Sequence, residues 1–304
     1  MRRSKSFGAV VVSFGVLASG CTIATDGDTA SETSAVSDFS AAPVSESAAP
    51  TSDPGSWTTV TPVQSLTVVD LAAELGALES TAGGPIGLAL APVGGGAATV
   101  LGTWTSGVAW STAKVPLAVA ALRNGGDAAL ADATAAIRNS DNPAAEALWG
   151  SFGDSAAAGA AVESVLRQGG DAATVVQRER VRPEFSAFGQ TVWSTQDQAA
   201  FAAGLSCIPD AAPVVEMMNT VVPEQQWGLG QLSDAAFKGG WGPTVDGGYE
   251  VRQVGIVTTV AGRVGVAIAA QPNSGSFTDG TAMLDAVGGW LESHSAQLPA
   301  GHCL

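Results

Sequence analysis

Short apolar runs open and close this chain from about residue 70 onward, and a long alanine-rich stretch lies between them. A helix-like segment at Asp70 to Glu79 comes first. Pro85 to Leu90 and Ala98 to Leu101 then read as strands, separated by a turn containing Gly94, Gly95 and Gly96. From Ser111 to Met218 the pattern is helical, with breaks at Asn124-Gly125-Gly126, Asn139 to Asn142 and Gly169-Gly170. Strand patterns return at Ala236 to Trp241, Tyr249 to Val260 and Arg263 to Ala270, and a final helix is predicted over Gly280 to Ser295. Strands at both ends with helices between them predict an α+β fold. Its centre is one antiparallel sheet of about five strands, flanked by helices and carrying an inserted helical lobe.

The N-terminal residues follow a different logic. Arg2, Arg3 and Lys5 precede a mostly apolar run from Gly8 to Leu17, too short to span a bilayer comfortably. The run ends in Leu17-Ala18-Ser19-Gly20-Cys21, which reads as a signal peptide over 1–20 followed by a lipidated Cys21. The alternative is an ordinary secretory signal before an incidental cysteine. Thr22 to Ser56 is mostly Ser, Thr, Ala, Pro and acid, and it holds no Lys or Arg. Such a segment buries too little apolar surface to offset its ordering entropy. Residues 21–56 are therefore expected to form a tether, with a reach of roughly 30–35 Å if they behave as a flexible coil. Residues 57–304 are expected to form the folded domain.

The formal charge is −15, and loss of Arg2, Arg3 and Lys5 with the signal leaves −18. That surface repels nucleic acid and anionic headgroups, so a lipid anchor is the expected membrane contact. If Cys21 is lipidated, Cys207 and Cys303 remain, and an even pair in an exported chain predicts a disulfide. Two separate buried thiols are the alternative. A zinc site built from Cys207, Cys303, His294 and His302 matches no familiar ligand spacing, and no metal or other cofactor is expected.

Lysine is the most selective residue in the chain. Only Lys5, Lys114 and Lys238 occur, against ten arginines, and two of them stand in short motifs. A lysine can be tuned to act as a base, whereas arginine stays protonated. Ser111-Thr112-Ala113-Lys114 lies where a helical segment begins, so its serine and lysine share a face one turn apart. Ser140-Asp141-Asn142 precedes Pro143, and on its own Asn142 is a good helix cap. Lys238-Gly239-Gly240 sits on a predicted strand beside Trp241, where a solvated lysine on a strand edge is the plain alternative.

Taken together and in this order, the three motifs resemble those of the penicillin-recognising serine enzymes: class A β-lactamases and D-alanyl-D-alanine peptidases. The resemblance spans roughly Pro85 to Leu298. It implies that Ser111 attacks a carbonyl, Lys114 takes its proton and Ser140 relays a proton to the leaving nitrogen. It also implies an oxyanion site at the amides of Ser111 and Trp241, with Asn142, Lys238 and the Gly240 segment binding substrate. Arg182-Pro183-Glu184 is similar to the loop that carries the deacylating carboxylate, which would make Glu184 a base; a surface ion pair with Arg180 or Arg182 is the alternative. This chain departs from the pattern at Gly239, where the family has a hydroxyl, and at Phe188, where the loop has asparagine. Two functions follow as expectations: an acyl-hydrolase acting on β-lactams or peptidoglycan-derived peptides, or a lipoprotein using the fold only to bind peptidoglycan or a protein. A solute-binding lipoprotein of a transporter would require two similar α/β lobes, against the strand order.

Replacing Cys21 with serine tests the anchor. The variant is expected to lose incorporation of labelled palmitate and to move from the membrane fraction to the soluble fraction.

Overall fold

The computed structural model describes residues 68–304. The signal, Cys21, the tether and the first residues of the expected domain lie outside the described residues. In chain order the elements are α1 (Val68–Ala82), β1 (Ile86–Pro92), β2 (Thr99–Gly102), β3 (Ser106–Val108) and α2 (Lys114–Gly125). There follow α3 (Leu130–Arg138), α4 (Asn142–Gly150), α5 (Ser155–Gln168), β4 (Val192–Ser194), α6 (Thr195–Leu205) and α7 (Ala212–Met218). The chain closes with β5 (Ala235–Pro243), β6 (Tyr249–Thr259), β7 (Gly262–Ala270) and α8 (Phe277–Ser293).

Five strands form one antiparallel sheet in the order β2-β1-β7-β6-β5, so the two ends of the domain meet at the β1–β7 pair. That architecture agrees with the sequence expectation. A second sheet, the two-stranded pairing of β3 with β4, was not foreseen, because three residues per strand leave no readable alternation. The irregular stretch after α5 is also longer than the Gly169-Gly170 break indicated, with no strand before β4. The final helix starts at Phe277, not Gly280, because the Ser276 hydroxyl accepts the Asp279 amide at 3.0 Å and caps it.

Side-chain alternation in the strands assigns the two faces. Ile86, Leu88 and Leu90 pack with Val264, Val266 and Ile268 against Leu71 and Leu75 of α1 and Leu284, Val287 and Leu291 of α8. Each such side chain, fully removed from water, contributes about 1.5–3 kcal/mol. The intervening residues of the same strands, Ala89, Ala91 and Ala267, meet Ala199 and Ala203 of α6. Alanine there lets the helix lie close to the sheet, and at Gly265 any Cβ would run into the backbone of Ala199 and Ala203. Helices α2 to α5 and α7 form the inserted lobe around Leu117, Ile137, Leu148, Val162 and Phe201. Among the described residues no single helix is long and apolar enough to cross a membrane.

The C-terminal tail returns to the sheet. Arg263 and Gly301 exchange backbone hydrogen bonds of 2.8 and 3.0 Å, and Cys207 and Cys303 are disulfide-bonded with Cα atoms 5.4 Å apart. The bond closes a loop spanning 96 positions, long enough to restrict the unfolded chain strongly. A Cys207→Ser, Cys303→Ser double variant is expected to lose about 2–4 kcal/mol of stability and to melt roughly 5–15 °C lower, measured by thermal denaturation without reductant.

Candidate active site

Ser111 lies in a 3-10 turn, Trp110–Ala113, that runs directly into α2 at Lys114. The turn is tight because Trp110, a bulky residue, adopts φ 50, a conformation that persists only where surroundings enforce it. The edge-on Phe185 ring at 5.1 Å and the Arg182 guanidinium at 5.8 Å hold its indole. Gly242 leaves room for the ring that any Cβ would take. Behind the turn, Thr112 Oγ1 donates to Ala109 O at 2.5 Å and accepts from Gln198 Nε2 at 2.9 Å.

Gln198 in turn accepts from Arg252 Nη2 at 2.8 Å. Arg252 is fully buried and also donates to the carbonyls of Gly107, Val108 and Trp193 at 3.0–3.2 Å. Its remaining partner is Glu250 at 3.3 Å, whose carboxyl burial pushes up to about 7 while Arg252 opposes the shift. One guanidinium therefore connects β6, the β3–β4 ribbon and α6 to the turn that carries Ser111.

The three motifs meet at one hydroxyl. Lys114 Nζ donates to Ser140 O and to Asn142 Oδ1, each at 2.7 Å, with Ser140 Oγ at 3.5 Å. Lys238 Nζ donates to Ser140 Oγ at 2.9 Å and to Gly239 O at 2.8 Å. Ser140 reaches between the two amines from a left-handed backbone, φ 58. The cap of α4 is Asp141, not Asn142: Asp141 Oδ1 accepts the Ala144 amide at 2.7 Å, which frees the Asn142 side chain for Lys114. The shared helix face of Ser111 and Lys114 leads one to expect a hydrogen bond between them. The structure shows no such bond; the amine is drawn instead to the Ser140 carbonyl and the Asn142 amide oxygen, and the Ser111 hydroxyl has no hydrogen-bond partner among the described residues.

Both lysines lie out of solvent, and burial depresses both. The Lys114 amine is brought down to about 7 by burial, with Asp141 and Glu146 pulling the other way. Burial and then the neighbouring Lys114 hold Lys238 well below the usual lysine range.

Ser111, Lys114 and Asn142 open onto a cavity of about 490 Å³ walled by Trp110, Phe185, Trp241 and Tyr249. Strand β5 forms one side. A Cβ at Gly240 would stand 2.9 Å from the Ser111 amide nitrogen, so glycine lets the strand lie against the turn and brings the backbone before Trp241 beside that amide. Gly239 has a different neighbour: a Cβ there would stand 3.0 and 3.1 Å from the Trp227 ring. That ring packs on Trp241 and Phe277, with centroids at 6.1 and 6.2 Å. The missing hydroxyl at 239 thus goes with an aromatic stack that fills the position.

The opposite wall is the loop that carries Arg180, Arg182 and Glu184. Gln190 shapes it, its Oε1 accepting the Arg182 amide at 2.8 Å and its Nε2 donating to the carbonyls of Arg182, Phe185 and Ser186 at 3.1–3.3 Å. Arg182 Nη1 reaches across to Pro243 O on β5 at 2.6 Å. Glu184 lines the cavity, but its side chain is 58% exposed and pairs with Arg182 at 3.4 Å. Arg180 pairs with Glu146 of α4 at 2.8 Å, and Glu146 lines the same cavity. Sequence reasoning missed Gln190, Gln198, Arg252 and Glu146. For Glu146 a signal existed, since it stands one helical turn beyond Asn142.

No family model matches the chain, and no curated protein matches its sequence. Solved structures do match. A class A β-lactamase from Mycobacterium abscessus superposes with a TM-score of 0.55 at 17% identity, covering 71% of this chain and 97% of that one. The fold is that of the β-lactamases. A β-lactamase from Burkholderia vietnamiensis gives a TM-score of 0.58 at 20% identity, over 74% of this chain and 96% of its own. One from Desulfarculus baarsii gives 0.52 at 20% identity, over 74% and 98%.

Within this β-lactamase fold, Gly239→Thr tests whether Trp227 excludes a side chain from that position. The variant is expected to lose about 1–3 kcal/mol through overpacking, and adding Trp227→Leu should restore part of the loss in denaturant titrations.

Proposed function

We propose that the protein is a cell-envelope serine acyl-hydrolase, acylated at Ser111 by β-lactams or D-alanyl peptides and slow to release the acyl group. The observation that carries this reading is the meeting of Lys114, Ser140 and Lys238 at one hydroxyl beside the cavity that Ser111 faces. Neutral Lys114 takes the Ser111 proton as the oxygen bonds to the substrate carbonyl. As the carbon–nitrogen bond breaks, Ser140 passes its proton to the leaving nitrogen and is reprotonated from the lysine side. The amides of Ser111 and Trp241 receive the oxyanion, while Asn142 and the β5 segment from Lys238 to Trp241 orient the substrate.

Slow release is supported by the loop carboxylate. Glu184 stands largely in solvent and is engaged by Arg182 at 3.4 Å, so it is loosely held as a base for a bound water. A lipid on Cys21 would hold the domain at the outer face of the membrane, within reach of peptidoglycan fragments. The second reading, a binding module without turnover, is favoured by the hold of Ser140 and Asn142 on the Lys114 amine, which leaves Ser111 without its partner.

Intact mass after incubation with labelled penicillin separates the two. A long-lived adduct is expected on the wild type and none on Ser111→Ala; no adduct across several β-lactams would favour the binding module. The rate of adduct formation should also follow the Lys114 amine. Below about 7 the amine is protonated and cannot accept the serine proton, so the rate should fall about tenfold per pH unit on the acid side and level off above.

A further inference from the structure

Glu184 shares the cavity at Ser111 with a second carboxylate, Glu146. Glu146 lies on α4, one turn beyond Asn142, and therefore on the helix face whose Asn142 touches Lys114. Its side chain is 34% exposed against 58% for Glu184, and both line the cavity that Ser111 enters. The support beneath it is rigid: Ala145, Leu148 and Trp149 are buried in the lobe, and Asp141 caps the helix. Arg180 engages Oε1 at 2.8 Å, and no protein partner of Oε2 is found among the described residues. Lys114 feels the charge of Glu146, while Glu184 is not among the groups acting on it.

We propose that Glu146 is the carboxylate that activates the water releasing the acyl group from Ser111. The proposal rests on the acyl-enzyme reading above. The Glu146 carboxylate takes one proton from a water in the cavity as its oxygen bonds to the acyl carbon. The tetrahedral adduct then collapses, the bond between Ser111 Oγ and the acyl carbon breaks, and Glu146 returns the proton to the serine oxygen. One water is consumed, a carboxylic acid leaves, and both residues regain their starting states. The resulting base comes from a helix of the lobe and not from the loop.

The test follows the lifetime of the labelled penicillin adduct on the full chain by intact mass in four proteins: wild type, Glu146→Gln, Glu184→Gln and Arg180→Met. Glu146→Gln is expected to lengthen the lifetime at least about tenfold more than it slows adduct formation, the scale of a lost general base. Arg180→Met removes the ion pair and keeps the carboxylate, so its release rate should stay within about threefold of wild type. An unchanged lifetime in Glu146→Gln overturns the proposal. Equal lengthening in Glu146→Gln and Arg180→Met also overturns it, because Glu146 would then be only a strut. Lengthening in Glu184→Gln alone assigns release to the loop. A wild-type adduct that never releases leaves no base at work and refutes Glu146, whereas absence of any adduct refutes the acyl-enzyme reading itself.

Discussion

Two lysine amines are buried against a single serine hydroxyl, and burial works against the charge of each. Desolvation of an ammonium is costly unless acceptors replace its water. The Ser140 carbonyl, the Asn142 amide oxygen and the Gly239 carbonyl supply those acceptors. Those of Lys114 come from the helical lobe, whereas Lys238 draws on Gly239 of the edge strand β5 and on Ser140 of the lobe, so its amine is met only where lobe and sheet come together. The left-handed Ser140 and the glycine at 240 serve the same arrangement, one bringing its carbonyl to an amine and the other letting β5 lie against the serine turn.

Arg252 plays the complementary part below the turn. Its two terminal nitrogens meet three carbonyls, a glutamine and a carboxylate, most of them from other elements. Removing any one would strand part of a buried cation, so these elements are fixed to one another more firmly than apolar packing alone would fix them. Because Gln198 also reaches Thr112, the turn that carries Ser111 is tied through α6 to Arg252 on β6.

Much of this was legible in the sequence because the chain uses lysine so sparingly. Two lysines beside small or hydroxylated residues mark chemistry that surface charge would not require, and the strands of the main sheet show clear apolar runs. What stayed hidden has physical reasons. Arg252 reads as an ordinary charge in a strand, since nothing local says that its partners lie far away along the chain. Gln190 works through loop carbonyls, which carry no side-chain signature. Glu146 looks like a solvent-facing helix carboxylate until the opposite loop closes over it. Pro143 points to Asn142 as the cap, yet it is the Asp141 carboxylate that accepts the Ala144 amide, and Asn142 turns to Lys114.

The sparing use of lysine also leaves a mark on the outside of the molecule. Lys114 and Lys238 are 1% and 0% exposed, so the described surface offers no free lysine amine. Reagents that seek amines, including strained lactams that acylate lysines on unrelated proteins without any active site, find no such target there. Tryptic cleavage of the folded domain must likewise begin at arginine. An acyl donor that reacts with lysine amines would have to reach the interior of the described fold to find one.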